Sequence, residues 1–198
     1  MAKRKGKEVI EIKLHPNGVI PKRANDFAAG YDVKPVEVKM IAFNGWQVTC
    51  SSVDEIREAC RELKIRDKRS WWKRFKDWIN DEQPQRGWKQ LWFNSGVQMH
   101  PQTTSVYMSA EPCSRTVKTD YVLHNSLGTI DNDYRGYTYF IYHSLCETYD
   151  EDKIILLFNT CGQLKSKYSV ELEFEEKDEL SETSRGDGGF GSTAKQQK

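Results

Sequence analysis

The 198-residue sequence lacks any apolar run approaching the ~20 residues a membrane helix needs, and its basic start MAKRKGK leads into charged alternation instead of a signal-peptide core. Neither a membrane-embedded nor an exported protein is expected. CxxC pairs are missing as well. The five cysteines, Cys50, Cys60, Cys113, Cys146 and Cys161, are odd in number and widely spaced, which argues against a disulfide framework or a zinc site and for a reducing cytoplasm. An excess of one charge is also absent: 30 basic against 29 acidic side chains give +1, so no global field would hold the chain on nucleic acid or anionic lipid.

What is present points to a folded, polar-surfaced protein. Mean hydropathy is only −0.76, yet 12% aromatics, six of them Trp, bury large areas with few side chains. Most of the chain reads as short strands. Ile10, Ile12 and Leu14 alternate with Glu11 and Lys13; Val36, Val38 and Met40 alternate with Glu37 and Lys39; Val170, Leu172 and Phe174 repeat the pattern. Further strands are predicted at 104–110, 119–124, 137–143 and 153–158. Short strands joined by turn residues, with little helix between them, imply an all-β jelly roll, sandwich or barrel and not a doubly wound α/β sheet.

Residues 45–88 break that rhythm. Ser52 and Glu55 form a capping box, and Val53, Ile56, Cys60 and Leu63 follow at helical spacing, which predicts a helix from about 53 to 65. A second helix is predicted from Ser70, with Trp71, Phe75, Trp78 and Ile79 on one face, ending before Pro84. Between residues 57 and 76 nine Lys/Arg face three Asp/Glu. This reads as a solvated basic face on a helical insertion, with a protein partner at that surface as the alternative. The expected organisation is a first part of the β core at 1–44, the insertion at 45–88, the rest of the core at 89–176 and a flexible C-terminal arm at 177–198. The arm is poor in apolar residues, and Phe190 stands among glycines beside Ser192 and Thr193, as in a lid closing on a flat, phosphorylated ligand.

Chemistry concentrates in His124-Asn-Ser-Leu-Gly-Thr-Ile-Asp-Asn-Asp-Tyr-Arg-Gly136. Together with AAGYD at 28–32 and RGDGGFGST at 185–193, in that order, this stretch resembles the trimeric dUTP diphosphatase (dUTPase) family. The resemblance covers roughly 8–43 and 90–194. Gly162-Gln163-Leu164 matches that family's G-Q-L motif. Pro112-Cys113-Ser114-Arg115 matches its P-R-S motif with Cys113 where the arginine stands, which leaves open whether Arg115 supplies that charge.

The resemblance implies a dUTPase-like jelly roll (β-clip) that assembles as a homotrimer with active sites shared between subunits. It implies dUTP as substrate, Mg2+ carried by the substrate phosphates without direct protein ligands, and Asp131 as the catalytic base. Asn125, Gly128 and Ile130 would frame the uracil, and the Tyr134 ring would exclude a ribose 2'-hydroxyl. Ser114, Gln163, Arg185, Gly191 and Ser192 would hold the phosphates, and Phe190 would stack on the base. Asp32 would either hold a water of the metal's hydration shell or brace a turn. A cytoplasmic setting in a bacterial cell or a phage-infected host fits this picture. The alternative is a dUTPase-like nucleotide-binding or regulatory protein with reduced or no turnover. A dCTP deaminase, similar in fold, would need a glutamate ten residues after Asp131, where this chain has Ile141.

Overall fold

The computed structural model describes residues 8–66, 87–102, 107–146, 149–166, 172–183 and 186–187. Alternation of apolar and charged residues produces the strands, because successive side chains of a strand point to opposite faces. In β1 (Glu8–Leu14) Ile10 and Ile12 are fully buried. In β3 (Glu37–Ala42) Val38, Met40 and Ala42 are buried while Lys39 is exposed.

Three sheets result among the described residues. β1 lies between β12 (Leu172–Glu176), to which it is parallel, and β6 (Val97–Pro101), to which it is antiparallel. An antiparallel five-stranded sheet has β4 (Gln47–Cys50), β3, β5 (Trp88–Asn94), β10 (Tyr139–Ser144) and β8 (Tyr121–Leu123) in that order. The third, also antiparallel, runs β2 (Tyr31–Val33), β11 (Gly162–Ser166), β7 (Met108–Glu111) and β9 (Gly128–Ile130). Ile10, Met40, Leu91, Phe93, Phe140, Tyr142 and Leu164 form one fully buried core between them. The all-β expectation holds, and among the described residues no helix is long and apolar enough to cross a membrane.

The capping box forms as predicted. Glu55 N donates to Ser52 Oγ at 3.2 Å, and the Glu55 carboxylate accepts from Ser51 N at 2.7 Å, opening α1 (Val53–Arg66). Ile56, Cys60 and Leu63 are buried, and Tyr149 donates its hydroxyl to Cys60 O at 2.7 Å. Burial pushes the Cys60 thiol up to about 11 and that of Cys50 to about 12. Strand β4 occupies part of 45–88, so the helical part of that segment starts only at Val53. The second predicted helix, with Trp71, Phe75, Trp78 and Ile79, lies outside the described residues.

One predicted strand is corrected. Residues 153–158 belong to helix α2 (Glu151–Asn159). A short run such as IILLF fits a buried strand or a buried helix equally well by periodicity. Here the Asp150 side chain caps the first turn by accepting from Asp152 N at 3.0 Å, and burial of Ile154, Leu157 and Phe158 follows helical spacing. α2 packs against α1.

Candidate active site

Two clusters of polar side chains sit on the third sheet. At the first, β11 and β2 pair Gln163 with Asp32, and Gln163 Nε2 donates to Asp32 Oδ1 at 2.8 Å. Gly30 makes this possible: a Cβ there would stand 2.7 Å from Gln163 Oε1 and 3.0 Å from its Cδ. The glycine of AAGYD and the glutamine of the G-Q-L stretch are therefore one packing unit. Tyr31 of the same motif anchors the last strand. Its hydroxyl accepts from Leu172 N at 3.1 Å, and its ring meets Phe174 edge-on at 5.1 Å.

Ser114 is exposed at the start of a 3-10 turn, Ser114–Lys118, that follows β7. Cys113 is buried, with its thiol 3.8 Å from Thr160 O. Arg115 Nη1 donates to Thr160 Oγ1 at 2.7 Å. Thr160 precedes Gln163 by three residues, so the guanidinium of Arg115 is tethered at the same end of the sheet as Ser114, Asp32 and Gln163. Among the described residues no group of three or more His, Cys, Asp or Glu side chains could hold a metal ion. Oδ2 of half-buried Asp32 carries no protein hydrogen bond among the described residues, so this carboxylate suits a contact to such an ion's hydration shell.

The second cluster is the hairpin from Asn125 to Gly136. Asn125 spans its base: Nδ2 donates to Tyr139 O at 2.9 Å, and Oδ1 accepts from Ile141 N at 3.1 Å. Both ends of the amide bond the backbone of β10, so Asn125 braces the loop, and one Nδ2 hydrogen and one Oδ1 lone pair remain for a further partner. Gly128 pairs with Ala110, and a Cβ there would approach Asn125 O to 2.7 Å; Ile130 is buried opposite Met108. Asp131 is exposed at the head of the turn, its carbonyl accepting from Tyr134 N at 3.0 Å. The Tyr134 hydroxyl donates to Tyr137 O at 2.9 Å, and its ring lies on Gly136, where a Cβ would be 2.4 Å from the hydroxyl oxygen.

The two clusters face opposite ends of the sheet. Along β7, Glu111 stands opposite Gln163, whereas Met108 stands opposite Ile130, beyond which Asp131 projects. At strand spacings this separates Asp131 from Gln163 by roughly 13 Å along the sheet and about 10 Å across it. Ser114 lies further still in the direction away from Asp131.

The C-terminal segment reaches the hairpin cluster. Lys177 N donates to Ile12 O at 2.8 Å, and Thr183 donates its hydroxyl to Asp133 O. Arg135, only 9% exposed, bonds to both the turn and this segment. Burial lowers its pKa from the ordinary arginine value, with Asp133 and Glu11 opposing the shift. Sequence reasoning missed Arg135 because an arginine in a polar turn carries no periodic signal. Arg185, Phe190, Gly191 and Ser192 lie outside the described residues.

The chain is similar to several known proteins. No family model matches the chain. Deoxyuridine 5'-triphosphate nucleotidohydrolases from two strains of Helicobacter pylori are each 28% identical over 181 residues, 91% of this chain and 92% of theirs. The one from Roseobacter denitrificans is 45% identical over 71 residues, 36% of this chain and 45% of its own length. A solved dUTPase from Streptococcus mutans is 16% identical, with a TM-score of 0.45, and the match covers 79% of this chain and 93% of that one. With AAGYD, GTIDNDYRG and RGDGGFGST in order and an alignment running through 91% of its length, the chain is similar to the deoxyuridine 5'-triphosphate nucleotidohydrolase (dUTPase) family.

Proposed function

We propose that this protein hydrolyses dUTP to dUMP and pyrophosphate by in-line attack of water on the α-phosphate. The observation that carries the reading is the hairpin, where an exposed carboxylate, Asp131, and an aromatic ring, Tyr134, are held on one short turn braced by Asn125. Asp131 accepts the proton of the attacking water. The loop backbone from Gly128 to Ile130 reads the uracil edge, and cytosine meets unmatched polar groups there. The Tyr134 ring sits against the deoxyribose. Ser114, Gln163, Arg115 and Arg185 donate to the phosphates with the backbone of Gly191 and Ser192, and Phe190 stacks over the base. Mg2+ carried on the triphosphate would neutralise phosphate charge, and Asp32 would contact its hydration shell.

The separation of Asp131 from Gln163 and Ser114 supports a shared site. A base that must reach the α-phosphorus and donors that must reach the same phosphates cannot lie some 16 Å apart on one chain and serve one nucleotide. A second copy has to bring its Gln163 end to the first copy's hairpin, and closed symmetry makes a homotrimer with three such sites the natural assembly. A cytoplasmic location fits the five free thiols, in a bacterial cell or a phage-infected host.

The test is pyrophosphate release with Mg2+ from dUTP, dCTP, dTTP and UTP; turnover of dUTP alone is expected. Cys113, buried at the position where the related motif has an arginine, favours a second reading, a nucleotide-binding or regulatory protein. Micromolar dUTP binding without turnover would select it.

Two variants follow from the geometry. Gly136→Ala drives a methyl into the Tyr134 ring and breaks its bond to Tyr137. Steady-state kinetics should give kcat/KM for dUTP lower by about 10-fold and weaker discrimination against UTP. Arg115→Ala removes the cation tethered at Thr160 and should raise KM for dUTP by about 10-fold. An unchanged KM would leave position 113 uncompensated.

A further inference from the structure

Arg135 joins two segments that are distant in sequence. Its guanidinium donates from Nε to Ser181 O at 2.9 Å and from Nη1 to Asn132 O at 2.7 Å and Tyr134 O at 3.2 Å. Its backbone N–H donates to Gly186 O at 2.6 Å, and its carbonyl accepts from Gln98 Nε2 at 2.6 Å. The side chain thus fastens the turn that carries Asp131 and Tyr134 to the backbone of the C-terminal segment at Ser181, while the backbone of the same residue ties the turn to Gly186 and, through Gln98, to β6. Beside it opens a cavity of about 340 Å³, lined by Lys13, Gln98, Glu179, Leu180 and Glu182 among others, so the segment bridges open space where it meets the hairpin. Besides the backbone bonds and the Thr183–Asp133 contact, two further side-chain tethers are weaker. The Lys13–Glu179 pair at 2.8 Å has a glutamate 82% exposed, and such surface pairs contribute little. The Ser181 hydroxyl contact to His100 Nδ1, at 3.2 Å, is also exposed.

We propose that Arg135 is a positioning residue that latches the described part of the C-terminal segment, residues 177–183 and 186–187, to the substrate hairpin, so that each holds the other in place. The latch gives a positional effect on the reaction proposed above and rests on that reading for its kinetic consequence. The structural consequence stands apart from it. Arginine suits the role because its planar fork donates in two directions at once. Lysine offers a single flexible ammonium, which cannot reach Ser181 O and Asn132 O in the same geometry. Because every guanidinium partner named is a backbone carbonyl, the latch reads the path of both segments and is insensitive to their side chains.

The test uses the full-length protein with Arg135→Gln, Arg135→Lys, Thr183→Val and the Arg135→Gln/Thr183→Val double variant. Hydrogen exchange of the amides at 178–183 and 186–187 should accelerate by 10-fold or more in Arg135→Gln, while β5, β9 and β10 keep wild-type protection. kcat for dUTP should fall by about 10-fold, with Arg135→Lys close to Arg135→Gln. Thr183→Val should have a smaller effect, and the double variant should fall no further than Arg135→Gln, since both residues serve one contact. Unchanged exchange in the arm, or equal acceleration in β9 and β10, would overturn the latch. If the wild-type protein fails to hydrolyse dUTP while Arg135→Gln still frees the arm, the proposed reaction falls and the latch stands.

Discussion

Asp131→Asn is expected to lower kcat for dUTP hydrolysis by about 10³-fold, ~4 kcal/mol of transition-state stabilisation, while dUTP affinity stays within about 3-fold of wild type. The turn itself should survive the change. What closes it is the bond from Tyr134 N to the backbone carbonyl of residue 131, and the hairpin base is held by Asn125 on β10; neither uses the Asp131 carboxylate. Asparagine keeps the size and polarity of the side chain but offers no basic oxygen to take a proton from water. Pyrophosphate release and calorimetric titration with a non-hydrolysable dUTP analogue measure the two quantities separately. Turnover at the wild-type rate would remove Asp131 from the mechanism, and an equal loss of affinity would make it a binding residue.

A mixture of two dead proteins should regain activity. Asp131→Asn keeps an intact Gln163 end, and Gln163→Ala keeps an intact hairpin. If each site takes its hairpin from one copy and its phosphate donors from another, unfolding and refolding the two variants together at equal ratio restores about a quarter of the sites by random assembly. Each variant refolded alone stays inactive. The argument is geometric: four residues of β7 separate the level of Gln163 from that of Asp131, and a phosphorus atom cannot be within reach of both on one chain. Absence of recovery, with assembly of mixed oligomers shown by native mass spectrometry, would mean that the site is built within a single chain.

Much of the framework was legible from local pattern. The alternation at Glu37–Ala42 and the Ser52/Glu55 capping box need only the residues that form them, because strand and helix periods and end caps act over a few positions. The run at 153–158 was not legible in the same way. Five consecutive apolar residues bury equally well as strand or helix, and the choice fell to the Asp150 cap and to packing against α1. The bracing role of Asn125 was not legible either. Its partners at Tyr139 and Ile141 lie fourteen and sixteen residues away and come within reach only when β10 folds back.

The sequence by itself determined the chemistry on offer: a carboxylate and a ring in one short turn, and an aromatic among glycines in the C-terminal stretch. Tertiary structure alone decided how these parts relate. Register between β11, β7 and β9 sets the hairpin and the Gln163 end apart, and the placement of residues 177–183 and 186–187 beside β1 and β6 brings the carbonyls of Ser181 and Gly186 to Arg135. Pairings between distant segments depend on closing long loops against a common core. Local periodicity carries no record of which strands will meet, so neither relation could be read before the fold was known.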